Sequence, residues 1–257
     1  MNSTSHARPS TDPQLAAVPA VLLVGGLGTR LRSVVSKTPK ALARVGETTI
    51  LELLIRQLQV QGIRRIILCT GHMADQIERA LGDGTHLGVS IVYSREGKPM
   101  GTGGALKLAE SYISDASTVL VMNGDSLLEA DLANLVKSHR LHGELATLAV
   151  CPVVDASRFG TVRVDAKNRI VAFQEKTGVA DAGLVSAGIY AFRREVFDHI
   201  SSEPSSLEQD LFPRLVSQGM QAYVVESMFI DIGTPDDYAR AQVLAERLEA
   251  AANRSFR

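Results

Sequence analysis

Little in this chain serves cross-linking, thiolate metal chemistry or passage through a bilayer. Its 257 residues include only two cysteines, Cys69 and Cys151. Cys69 lies inside the apolar run IILCT and Cys151 closes LATLAVC, so both read as reduced strand residues. Two such thiols make neither a disulfide framework nor a metal cluster. No apolar stretch is long enough to span a membrane. The first 18 residues hold Ser, Thr, Pro and His but no apolar core of the kind a secretory signal needs. They are expected to form a disordered leader, and the cytoplasm is the default compartment. His6, His72, His86, His139, His142 and His199 are scattered and read as structural or solvated, so no Ser-His-Asp set and no histidine metal cluster emerges. The chain has no Pro- or Ser-rich linker, and it has no hexapeptide repeat after Leu244 that would build a β-helix tail. A formal net charge of -1 excludes a generally basic, nucleic-acid-binding surface.

Acidic residues are also missing from one interval, and there the absence is informative. No Asp or Glu occurs between Asp12 and Glu47, yet the interval carries Arg30, Arg32, Lys37, Lys40 and Arg44. Within it, Val21 to Val24 form an apolar run that reads as a buried strand. The run ends in Gly25, Gly26 and Gly28, followed by Thr29 and Arg30. A glycine turn after a strand lets backbone N–H groups approach a phosphate closely, and Arg30 and Lys40 can bind its charge. The pattern points to a polyphosphate site.

With 45% hydrophobic residues and a mean hydropathy of +0.07, a sizeable core can form. Leu51, Leu54, Ile55 and Leu58 share one helical face, Thr49 and Glu52 have capping-box spacing, and Gly62 ends that helix. Strands are expected over 65–70, 89–93 and 118–122. Helices are expected over 73–81, from Gly104 to Ser111, and from the cap Asp131 to His142. Such alternation predicts a parallel, doubly wound α/β sheet. The second half reads differently, with strands over 145–150, 161–164, 170–175 and 188–192 and few helices, so a mixed sheet follows. A last helix, about 235–251, would be a packing or dimer element.

Other glycine loops fail on detail. No G-x-x-x-x-G-K-[ST] string is present, and Leu31 stands where a dinucleotide fingerprint needs its third glycine. What remains, GG-x-GTRL followed by P-K, resembles the signature of the sugar-1-phosphate nucleotidylyltransferases. The resemblance runs from Pro19 to about Leu244. Further motifs occur in the family's order: PMGTGGAL, NGDS, FGTV, AFQEK, SAGIY and MFIDIGTPDDY.

The resemblance implies a Rossmann-like, GT-A-like α/β fold in a single domain over 19–257. A nucleotide-binding half (about 19–143) would precede a sugar-binding half (about 144–233). It implies that a nucleoside triphosphate and a sugar 1-phosphate are the small-molecule partners, with no nucleic acid or membrane and with a homodimer as a possible assembly. Asp125 and Asp231, each at a strand end, would hold one Mg²⁺. Asp236 and Asp237 are instead read as first-turn helix acids. Gly25, Gly26, Gly28, Thr29 and Arg30 would cradle the triphosphate, and the backbone of Gly101, Thr102, Gly103 and Gly104 would reach the base. Glu175 would accept hydrogen bonds from sugar hydroxyls and Lys176 would neutralise the sugar phosphate, although Thr177 replaces the family's usual proline. Gly160, Ser186 and Gly188 would line the sugar pocket.

Arg30, Lys40, Asp125, Lys176 and Asp231 form the expected catalytic set, with Arg30 acting mainly on the triphosphate. Val34-Val35 departs from the glucose-type pattern, and with PMGTGGAL and NGDS the chain most resembles the heptose 1-phosphate guanylyltransferase branch. That implies GTP and a heptose 1-phosphate. Mannose, glucose or N-acetylmuramate 1-phosphate with GTP, UTP or another nucleotide is the alternative, and a catalytically silent nucleotide-sugar-binding homologue ranks behind it because Arg30, Lys40, Asp125, Lys176 and Asp231 are all kept.

Overall fold

The apolar run at Val21 becomes a central strand of a nine-stranded sheet. This computed structural model describes residues 13–254 except Ser114, Thr177, Val179 and Ala180. In chain order the elements are α1 (Pro13–Ala16), β1 (Ala20–Leu23), β2 (Arg44–Val45), β3 (Thr48–Thr49), α2 (Ile50–Val60), β4 (Arg65–Thr70), α3 (Ala74–Leu81), β5 (Ser90–Arg95), α4 (Gly101–Leu108), β6 (Thr118–Asn123), β7 (Ser126–Leu128) and α5 (Leu132–His142). The second half adds β8 (Ala146–Val153), β9 (Thr161–Val164), β10 (Ile170–Gln174), β11 (Gly183–Arg193), a π-turn (Leu207–Leu211), α6 (Phe212–Leu215), β12 (Met220–Val224), β13 (Phe229–Asp231), α7 (Pro235–Val243) and α8 (Ala245–Ala252).

Strand order explains where a ligand can sit. β6, β1, β4 and β5 are neighbours and run parallel, so the chain winds outward from β1 to β5 and then returns to the other side of β1. Such a reversal leaves a crevice beyond the carboxyl ends of β1 and β6. The glycine loop follows β1, and Asn123-Gly124-Asp125 follows β6. β11 then pairs antiparallel with β6, and β8, β9, β10 and β12 extend the mixed part.

Alternation along the central strands feeds two cores. Ala20, Leu22, Leu120 and Met122 pack with α2, α3 and α5 on one face. Val21, Val119 and Val121 pack with α4, the π-turn and α6 on the other. The capping box at Thr49 and Glu52 is present. Thr49 Oγ1 accepts from the Glu52 N–H at 3.2 Å, and Glu52 Oε2 accepts from the Thr49 N–H at 2.9 Å.

Four expectations are corrected. Residues 13–18, expected to be disordered, are ordered: α1 is helical and both Leu15 and Val18 are buried, while residues 1–12 lie outside the described residues. Helix α4 begins at Gly101, not Gly104, so the glycine loop is itself the first turn. Strand β11 begins at Gly183, not Gly188, with a register shift between Ser186 and Tyr190. The final helix breaks at Leu244 into α7 and α8.

Candidate active site

β7 and β13, three residues each, form the ribbon that assembles the site. Asp231 pairs with Ser126, and the Ile232 N–H donates to the Asp125 carbonyl at 2.9 Å. The ribbon brings together two carboxylates that are far apart in sequence. Lys40, on a short 3₁₀ turn, donates to Asp125 Oδ2 at 2.6 Å. The Gly233 N–H donates to Asp231 Oδ1 at 2.6 Å.

Asp231 is the electrostatically strained member. Its carboxyl is pushed up to about 6, first by burial and then by the negative charge of Asp125, with Lys40 opposing. Two acids that repel in a partly buried place are relieved by a cation between them. Among the described residues no third Asp, Glu, His or Cys joins them as a metal-binding group. A hard cation would therefore complete its shell with water or phosphate oxygens, which suits Mg²⁺ better than a fully protein-caged ion.

Because the folded value lies above the ordinary 3.8, the proton on Asp231 stabilises the folded, metal-free chain. That contribution is complete below 3.8 and is lost as pH rises through about 6. Relative to Asp231→Asn, the metal-free protein should therefore lose melting temperature between pH 5 and pH 7, and Mg²⁺ should restore more at pH 7 than at pH 5. Equal Mg²⁺ stabilisation at both pH values, measured by thermal melting, would contradict the paired-carboxylate site.

Three clefts meet around these residues. The first, about 520 Å³, is walled by Gly25, Gly26, Cys69, Gly71, Glu96, Gly101, Thr102 and Asn123. The second, about 180 Å³, is lined by Gly26, Gly28, Thr29, Arg30, Lys40 and Asp125. The third, about 240 Å³, is lined by Arg30, Arg158, Gly160, Glu175, Lys176, Ser186, Gly188, Glu208 and Asp231. Asp125 lines the first and second, Arg30 the second and third, and Asn123 and Thr102 the first and third. The arrangement is a continuous trough with its cations in the middle.

Glycine has a specific task at two points. Gly28 has φ +58, and an added Cβ would lie 3.2 Å from the Lys40 side chain. Gly188 has φ +76 at the shift in β11, and a Cβ there would lie 2.8 Å from Ser126 Oγ. Both substitutions would be strained and would crowd the trough.

Not every expected residue joins the trough. Gly103 and Gly104 are buried and line none of the three clefts; they let α4 approach residues 203–205, where the Gly103 N–H donates to the Ser205 carbonyl at 2.8 Å. Arg30 borders both the second and the third cleft. Lys176 lies 3.6 Å from Glu175, and Thr177 lies outside the described residues. Asp237 does more than serve as a first-turn acid: it is buried, accepts from the Thr234 hydroxyl at 2.7 Å and pairs with both terminal nitrogens of Arg158. His72 lies in the wall of the first cleft. Burial pushes the Cys69 and Cys151 thiols up to about 12 and about 11, which keeps both unreactive.

Sequence reasoning missed Glu96. It follows β5, and its Oε2 accepts from the Met100 N–H at 3.0 Å. Burial holds its carboxyl above the usual range, against the pull of that hydrogen bond. Gly71 makes room for it, since a side chain there would collide with Glu96 Oε1. A lone Glu in the polar stretch SREGKP gave no signal beyond a solvated loop.

Residues 19–247 match the nucleotidyl transferase family. The chain is 39% identical to the D-glycero-alpha-D-manno-heptose 1-phosphate guanylyltransferase of Aneurinibacillus thermoaerophilus over 225 residues, covering 87% of this chain and 96% of that protein. It is 38% identical to the mannose-1-phosphate guanylyltransferase of Mycobacterium tuberculosis, with 87% of this chain matched but only 63% of that protein. The crystal structure of HddC from Yersinia pseudotuberculosis complexed with GMP-PN superimposes with a TM-score of 0.78 at 31% identity, over 88% of this chain and 98% of that one.

Proposed function

The chain belongs to the nucleotidyl transferase family, and from that premise we propose that it transfers GMP from GTP to D-glycero-α-D-manno-heptose 1-phosphate. The products are GDP-heptose and pyrophosphate, and the product would supply bacterial surface polysaccharide from the cytoplasm. The observation that carries this reading is the continuous trough, in which a base-sized cleft and a sugar-sized pocket flank Lys40, Arg30, Asp125 and Asp231.

Glu96 supports guanine. A carboxylate only accepts hydrogen bonds. Guanine presents two adjacent donors, N1–H and the 2-amino group, which match its two oxygens. Uracil presents one N–H between two carbonyls, and adenine and cytosine present a ring acceptor that a carboxylate repels.

A sugar-phosphate oxygen attacks the α-phosphorus, a new P–O bond forms, and the α–β P–O bond breaks to release pyrophosphate. The attacking phosphate has a second pKa of about 6, so it is already anionic and needs no general base. The difficulty is the repulsion between two polyanions. Lys40 and Arg30 border the phosphate cleft, and Lys176 and Arg30 border the sugar pocket, so their charges fall where the polyanions meet. Positioning and electrostatic stabilisation then supply the rate. Mg²⁺ held by Asp125 and Asp231 would add charge neutralisation at the phosphates.

Mannose 1-phosphate is the second reading, supported by the similarity to the mannose-1-phosphate guanylyltransferase. The two sugars differ by one CHOH, and a site built around that hydroxyl loses efficiency when it is absent. Competition between the two sugar phosphates with GTP tests the choice. Preference for the heptose is expected, and equal or better use of mannose 1-phosphate would overturn the heptose assignment.

A further inference from the structure

The sugar pocket contains a carboxylate that the reaction as described does not use. Glu208 lines it, on the π-turn that follows β11 in the chain. Its Oε2 accepts from two hydroxyls, Thr102 and Ser206, each at 2.9 Å. Both hydroxyl protons are directed there. Thr102 Oγ1 already accepts from the Leu207 N–H at 2.8 Å, and Ser206 Oγ from the Glu208 and Gln209 N–H groups at 3.1 Å. Each hydroxyl has a single proton, so each can give it only to Glu208. Glu208 is thus fixed in direction by two neighbours that leave Oε1 open.

No lysine or arginine pairs with Glu208 among the described residues. Its charge faces the pocket wall, where burial and then Glu208 raise the Tyr190 hydroxyl well above its ordinary value. Asn123 lines the same pocket, and its buried Oδ1 has no hydrogen-bond partner. A phosphate would be repelled by the carboxylate, whereas sugar hydroxyls donate to it. A carboxylate has about four acceptor positions, of which two are filled, so one or two hydroxyls can be taken.

We propose that Glu208 is a second sugar-reading carboxylate, accepting hydroxyls of the sugar through its open oxygen while Thr102 and Ser206 hold it in place. Glu175 and Glu208 then grip the sugar from two different elements, the end of β10 and the π-turn. The inference rests on the third cleft being the sugar site.

Steady-state kinetics of Glu208→Gln, varying GTP and the sugar phosphate separately, test it. The KM for the sugar phosphate should rise roughly ten- to a hundredfold, the scale of a lost charge-assisted hydrogen bond, while the KM for GTP stays within about twofold. Thr102 borders the base cleft too, so a purely structural role for Glu208 would disturb both substrates. An equal rise in both KM values, or an unchanged sugar KM, overturns the proposal. Should Glu208→Gln fail to fold, Glu208→Asp keeps the charge and withdraws it by one methylene; it must show the same one-sided rise, and parity overturns the proposal. The sugar phosphate in these assays is whichever of the heptose and mannose compounds the wild type uses better. A wrong heptose assignment therefore shows in the wild type and leaves this test intact.

Discussion

Replacing Asp125 by Asn should lower turnover by roughly a thousandfold while leaving the fold intact, the scale expected when one electrostatic group at the reacting centre is removed. The side chain is partly exposed, so no core is disturbed. Asp231→Asn should do the same to turnover but the opposite to stability. It removes a half-buried charge whose ionisation is opposed by desolvation and by Asp125, and Asn can still accept from the Gly233 N–H. The metal-free Asp231→Asn protein should therefore melt at or above the wild-type temperature at pH 7. Kinetics at limiting Mg²⁺ with melting curves check both. Near-normal turnover in either folded variant would rule out the two-carboxylate site.

The second large effect is a change of base. Glu96→Gln should lower kcat/KM for GTP by ~2–4 kcal/mol, since one acceptor of a bidentate pair becomes a donor facing a donor. The same amide can accept from uracil N3–H and donate to a neighbouring carbonyl, so UTP should gain relative to GTP. The measurement is kcat/KM for the two nucleotides with one sugar phosphate. A variant that loses both equally would make Glu96 a support for Met100 and the start of α4, and the base would have to be read elsewhere.

The parts of the molecule that were legible in the sequence are those with a local cause. A four-residue apolar run followed by glycines must be a strand entering a turn, and Thr49 with Glu52 at capping distance must start a helix. Lys40 and Arg30 stood out because glycine spacing and the absence of acids across 13–46 set them apart, and Asp125 because NGDS closes a buried apolar strand. What stayed hidden depends on distant chain. The β7–β13 ribbon is three residues on each side, too short for any periodicity, yet it sets Asp231 beside Asp125. The glycines at 103 and 104 also pack against residues 203–205, a contact that nothing in their local sequence announces. Glu96 and Glu208 sit in polar surroundings in the sequence, and only the folded trough distinguishes them from solvated acids. Asp237 looked like a dipole partner because the sequence does not place Arg158 beside it.

The central claim is that a sugar phosphate displaces pyrophosphate from the α-phosphorus of a guanine nucleotide. It is tested most directly by following the fate of phosphorus label in GTP. With GTP labelled at the α-phosphorus, Mg²⁺ and the heptose 1-phosphate, the label should appear in a nucleotide sugar. With label at the γ-phosphorus it should leave wholly as pyrophosphate, one for each nucleotide sugar formed. Label from the γ-phosphorus on the sugar, inorganic phosphate in place of pyrophosphate, or pyrophosphate release without a sugar phosphate would contradict the account.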